Sequence, residues 1–167
     1  MAPTGYPIQW LAQQFTVNSG VTITGVQGWI GTQDYGAGGD LLIALYGDSG
    51  SGTPGALLDS TTLAVADNVP MGWLGQSGLS WGIGQGNYWI AFEAVGNSSF
   101  RGVMNYPADF PLANGAYSQN AGANWTSYGL QTGLRVDGAT PVPEPSTVLA
   151  GLAALGFTGW IARRRRA

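Results

Sequence analysis

From Pro7 to about residue 137, no stretch longer than about a dozen residues lacks a glycine, proline or asparagine. Glycine carries no side-chain penalty at positive φ, and proline removes a backbone donor, so both interrupt long regular elements. Helices of three or four turns have little room between such interruptions. Strands of five to eight residues fit easily. The apolar residues agree, because they alternate instead of recurring every three or four positions.

The alternation gives a series of short strands. Ile8 to Val17 is one, anchored by Trp10, Phe15 and Val17. Val21 to Ile30 is the next. Its alternation slips phase at Gly25, which predicts a β-bulge. Leu41 to Tyr46 is apolar throughout and reads as a central strand of a packed sheet. Residues 47–55, Gly-Asp-Ser-Gly-Ser-Gly-Thr-Pro-Gly, are a loop by composition. Ala56 to Val65 resumes with Leu57, Leu58, Leu63 and Val65. Leu79, Trp81 and Ile83 alternate, and Gly84-Gln85-Gly86-Asn87 is a turn. Tyr88, Ile90 and Phe92 then form one face of a strand; Trp89, Ala91 and Glu93 form the other, read as a solvent face. Phe100 to Tyr106 and Trp125 to Val136 supply the last pieces. Eight or nine strands at spacings of about 8–12 residues predict an all-β antiparallel sandwich.

Charge and residue type exclude several functions. Before Val142 the only basic residues are Arg101 and Arg135, against seven aspartates and Glu93, leaving a body of about six negative charges. Such a body repels phosphate backbones, so no nucleic-acid partner is expected. The chain has no cysteine and no histidine. Disulfides, thiol catalysis, Cys/His zinc sites and Ser-His-Asp triads are therefore excluded. No cofactor is expected.

The candidate chemistry that remains is sparse. Glycoside hydrolysis needs a pair of carboxylates, and Glu93 is the body's only glutamate. Asp34 and Asp40, separated by a glycine-rich loop, and Asp48 beside its Ser/Gly loop are weak candidate Ca²⁺ ligands. Their spacing lacks the EF-hand pattern, and turn chemistry accounts for both loops. Aromatic side chains stack on sugar rings, which makes Trp73, Trp89, Trp125 and Tyr128 candidate carbohydrate-binding residues, although Trp also fills sandwich cores. The body is expected to be non-catalytic. Carbohydrate binding is the alternative role.

Three segments of the body, Ala44-Leu45-Tyr46-Gly47-Asp48-Ser49-Gly50, Pro54-Gly55-Ala56-Leu57-Leu58 and Gly86-Asn87-Tyr88-Trp89-Ile90, resemble jelly-roll-like β-sandwich ectodomains of exported bacterial proteins with C-terminal anchors. The resemblance implies a fold and transfers no catalytic residue.

The last 26 residues, VPEPSTVLAGLAALGFTGWIARRRRA, differ from everything before them. Pro143 and Pro145 break regular structure. Ser146 to Ala162 carries no charge, and as a helix it would reach about 25 Å, the short end of what a bilayer core of about 30 Å requires. Trp160 sits where an interfacial tryptophan belongs. Arg163, Arg164, Arg165 and Arg166 would stay in the cytoplasm by the positive-inside rule, placing the body across the membrane. Four of the chain's six arginines are concentrated there.

Val142-Pro143-Glu144-Pro145-Ser146-Thr147, the apolar stretch and the arginine run occur in the order of the PEP-CTERM sorting signal of Gram-negative bacteria, which this tail resembles. The resemblance implies an exosortase substrate: a membrane-embedded transpeptidase-like protease would recognise the Pro-Glu-Pro region and remove the tail. It also implies association with exopolysaccharide and biofilm. The expected organisation is an ectodomain over 1–138, a Pro-rich linker over 139–145, a transmembrane helix over 146–162 and a basic cytoplasmic tail over 163–167. The precursor would be anchored in the inner membrane with its body in the periplasm, and the mature form would reach the cell surface or be secreted. The opening residues, MAPTGYPIQWLAQQF, lack the basic and apolar regions of a signal peptide. An export signal upstream of Met1 is therefore expected.

Overall fold

The computed structural model of the chain describes residues 9–33, 36–95, 98–105, 114–129 and 132–140. They form ten strands: β1 (Trp10–Val17), β2 (Val21–Gly31), β3 (Gly39–Asp48), β4 (Pro54–Val65), β5 (Gly72–Ile83), β6 (Gly86–Ala94), β7 (Val103–Met104), β8 (Gly115–Ser118), β9 (Thr126–Tyr128) and β10 (Leu134–Ala139). All pairings are antiparallel, and no helix occurs among the described residues. One sheet has six strands in the order β4-β3-β6-β1-β8-β9. The other has four: β10-β2-β5, with β7 also paired to β2.

The inward faces of the two sheets make one core. The six-stranded sheet contributes Leu41, Ile43, Leu45, Leu63, Val65, Ile90 and Phe92. The four-stranded sheet answers with Ile23, Val26, Ile30, Trp81 and Leu134. Each such side chain, fully buried, contributes about 1.5–3 kcal/mol of transfer free energy. Gly28 shows how closely the layers approach. A Cβ there would stand 2.8 Å from Phe92 Cζ, so the missing side chain lets the phenyl ring press on the β2 backbone. At the open sides, Gln76 Nε2 donates to the Thr62 carbonyl (2.7 Å), tying β5 to β4 across the two sheets.

The all-β sandwich expected from the alternation is present. The phase slip at Gly25 is a register shift between Ile23 and Gly25 against β5. The apolar run Leu41 to Tyr46 is central, lying between β4 and β6. Other expectations are corrected. The segment from Trp125 to Val136 is not one strand; it divides between β9 and β10, which belong to different sheets. Among the described residues of Phe100 to Tyr106 only the two-residue β7 forms, and β8 was not anticipated from the sequence. Leu57 and Leu58, about which the sequence left burial open, lie outside the core. They are 53% and 50% exposed, on an edge strand whose register against β3 shifts twice between Leu45 and Asp48. Those shifts break the regular edge that a foreign strand would need for pairing. The linker expected over 139–145 begins inside the last described strand, since Ala139 belongs to β10; its residues 141–145, the helix and the basic tail lie outside the described residues.

Candidate functional site

The candidate aromatic residues fall into three places. Trp89 and Trp125 share the outward face of the six-stranded sheet. Trp73 lies on the outward face of the other sheet. Tyr128 packs edge-on against Tyr117, with ring centroids 5.3 Å apart. Burial raises the phenol pKa of Tyr128.

The outward face of the six-stranded sheet is built on alanine. Ala44 pairs in register with Ala91, Ala91 with Ala12, and Ala12 with Ala116, making a row across β3, β6, β1 and β8. All four are buried. Small residues in one row leave room for large rings from the rows beside it. Tyr46 extends its hydroxyl to Glu93, donating to Oε1 at 2.6 Å. Trp125 packs edge-on against Tyr46 at 5.9 Å and tilted against Trp10 at 6.4 Å. Trp10 Nε1 donates to the Ala94 carbonyl.

Trp89 is 0% exposed. This corrects the expectation that its side of the strand faces solvent, and it leaves no indole face on which a sugar can stack. Its Nε1 donates to Asp48 Oδ1 at 2.8 Å, and Gln14 Nε2 donates to the same oxygen at 3.1 Å. Asn114 completes the chain by donating to Gln14 Oε1 at 2.7 Å.

Glu93 is 2% exposed, which likewise corrects its placement on a solvent face. Burial pushes its carboxyl pKa up because the charged form loses hydration, and the Tyr46 hydrogen bond, which favours the anion, offsets this only in part. Burial, followed by the bond to Glu93 and its charge, raises the Tyr46 phenol well beyond the ordinary tyrosine range. The pair is a closed hydrogen-bonded unit.

The two weak metal candidates that are described, Asp40 and Asp48, stand at opposite ends of β3. Asp34 lies outside the described residues, Asp40 is exposed on β3, and Asp48 is engaged by Trp89 and Gln14. The other Asp48 oxygen, Oδ2, accepts from the Gly50 amide at 3.1 Å, the turn chemistry anticipated for this loop. No group of three potential metal ligands occurs among the described residues. A cleft of about 280 Å³ opens beside Phe15, Val17, Val21 and Val136, lined without any titratable side chain.

The second aromatic cluster was only partly foreseen. Trp29 on β2 pairs in register with Trp73 on β5, and their rings meet nearly edge-to-face at 5.3 Å and 70°. Arg135 of β10 places its guanidinium 3.8 Å from the Trp73 ring centre. Sequence reasoning named Trp73 but missed Trp29 and Arg135. Alternation along β2 puts Trp29 opposite the buried Ile30, and that was the available signal.

Residues 141–166 match the family model described as the PEP-CTERM protein-sorting motif. No curated protein and no solved structure matches the chain. The class that these observations define is an antiparallel β-sandwich body carrying a C-terminal sorting signal. The signal is the PEP-CTERM motif, an exosortase substrate signal that implies export and membrane-anchored processing. It contains the predicted recognition residues Val142, Pro143, Glu144, Pro145, Ser146 and Thr147 and the run Arg163 to Arg166, all outside the described residues. Among the described residues no helix is long and apolar enough to cross a membrane.

Proposed function

We propose that this chain is a non-catalytic surface or extracellular-matrix protein whose jelly-roll-like body is delivered by its tail. An exosortase removes the tail, and the body remains at the cell surface or is released. One observation carries this reading: β10 ends at Ala139, and the matched sorting segment begins at residue 141. The last described strand thus ends before the signal starts, so cleavage within the signal leaves every described strand intact. The tail's apolar stretch acts as a transmembrane helix, and Arg163 to Arg166 hold its end in the cytoplasm. The non-catalytic assignment is supported by the state of Glu93, buried and bonded to Tyr46 instead of being presented to a substrate. Association with exopolysaccharide and biofilm fits a protein addressed in this way.

The test is co-expression with an exosortase, followed by intact-mass measurement of the product. The expected result is loss of a C-terminal fragment, blocked when Pro143, Glu144 and Pro145 are replaced by alanine. An unchanged mass in the presence of an active exosortase overturns the proposal.

A second reading, a carbohydrate-binding module on the same anchor, is favoured by the half-buried indoles of Trp29 and Trp73 on an outward sheet face.

A further inference from the structure

We propose that the outward face of the four-stranded sheet is a binding site for a neutral polysaccharide, centred on Trp29, Trp73 and Arg135. This rests on the carbohydrate-binding reading and gives it a location and a ligand class.

The strand registers set side chains on a grid. Asp137, Gly25 and Ser77 form one row across β10, β2 and β5. Arg135, Gln27 and Gly75 form the next, and Trp29 with Trp73 the third. With strands about 4.8 Å apart and same-face residues about 6.8 Å apart, the patch measures about 10 Å by 14 Å. That is room for a sugar ring or two.

The relief of the patch follows from its glycines. A Cβ on Gly75 would run into the Val26 carbonyl, so this position stays bare. At Gly25 a Cβ would stand 3.0 Å from Asp137 Oδ2, so the carboxylate leans over the vacant position. The middle of the face is therefore low. Two indoles bound one end, and Asp137 and Ser77 stand at the other, both exposed.

The chemistry matches a sugar on both counts. The C–H face of a pyranose stacks on an aromatic ring, and its hydroxyls require fixed donors and acceptors together. Arg135 supplies planar donors, Asp137 an acceptor, and Gln27 one of each kind. The Arg135 guanidinium lies over one face of the Trp73 ring, so Trp73 acts here by holding that exposed guanidinium in place and Trp29 is the ring left for stacking. A water-facing sheet surface ordinarily alternates to polar residues, so a tryptophan pair amid glycine, serine and glutamine departs from that pattern. Neutral polymers are selected because Asp137 offsets Arg135 on the same face and the acidic body repels polyanions.

The opposite sheet is the rival location. There Trp89 is fully buried and Tyr46 is bonded to Glu93, which leaves Trp125 and Trp10 as the half-buried rings of that face, and Trp125 is the variant that tests it.

The experiment is affinity electrophoresis of the full chain, kept in a detergent without a sugar headgroup. The gels contain β-glucan, xylan or galactomannan as neutral polymers and alginate or polygalacturonate as acidic ones. At least one neutral polymer is expected to retard the chain. Trp29→Ala and Trp73→Ala should each weaken that retardation about tenfold, and Arg135→Gln and Asp137→Asn several-fold. Leu58→Ser, on a remote edge, should leave it unchanged. Trp73→Phe keeps a ring and should retain part of the binding, which separates lost stacking from a misfolded variant. Retardation lost in Trp125→Ala but kept in Trp29→Ala and Trp73→Ala would overturn this site and leave the binding-module reading standing. Retardation by acidic polymers alone would overturn the ligand class. No retardation by any polymer would overturn both the site and the reading beneath it.

Discussion

The two sheets turn different kinds of surface outward. On the six-stranded sheet, a row of alanines makes room for rings that pack down, and each polar atom of Trp89, Tyr46 and Trp10 finds a partner within the protein. That face behaves as a second core, with Ala12, Ala44, Trp89, Ala91 and Ala116 as its buried members. On the four-stranded sheet, glycines make room too, but neither ring is fully buried as Trp89 is, and the Arg135 guanidinium beside them is exposed. Small residues thus serve opposite ends. Alanine in register builds a floor that large neighbours cover, and glycine leaves a hollow that they border.

The comparison breaks most readily at Trp89. If the larger sheet's outward face is a core, Trp89→Ala should cost about 3–5 kcal/mol, measured by equilibrium denaturation of the chain. A loss below about 1 kcal/mol would return that face to the class of ordinary surface. Gly75→Ala comes next. Its Cβ meets backbone instead of a movable side chain, so a loss of about 1–3 kcal/mol is expected, read as a lowered denaturation midpoint.

Glu93 sharpens the same contrast through pH. Its carboxyl pKa is higher in the folded chain than in the unfolded one. The stability it contributes is therefore fully present below the unfolded pKa, and it is lost as pH rises through the raised folded value. Glu93→Gln keeps an acceptor for Tyr46 and removes the titration. Stability measured from pH 4 upward should fall less steeply in this variant than in the parent; identical slopes would place the Glu93 carboxylate in water. The smallest effect belongs to the other sheet. Arg135→Gln removes a cation–π contact at an exposed position and should cost about 0.5–1 kcal/mol by thermal denaturation. A larger loss would make that contact structural.

Much of this was legible in the sequence, and the failures share a cause. Alternation through Tyr88 to Glu93 assigned the correct residues to each face of β6. It could not say what lies on the outer one, because alternation distinguishes sides without saying whether they are wet. The alanine row is invisible along the chain: its members come from four strands and line up only once register is known. The Trp29–Trp73 pair is hidden for the same reason. By contrast, the Gly25 bulge was readable as a local slip of phase, and the sorting segment, which depends on contiguous residues, was readable almost whole. Leu57 and Leu58 show that hydrophobicity alone does not report burial: they stand exposed on a strand that is an edge.

Strand β1 has a further consequence, in time instead of space. It sits between β6 and β8, and its side chains bond to partners 84 and 100 residues further along the chain. The second sheet waits still longer, since β10 closes on β2 only when Ala139 is available. Topologies dominated by such distant pairings fold slowly, in milliseconds to seconds. In a chain whose signal implies export, the strands made first are thus the ones that wait longest for their partners. The last described strand and the sorting segment stand one residue apart, so the pairing that closes the second sheet and the signal that addresses the chain become available almost together.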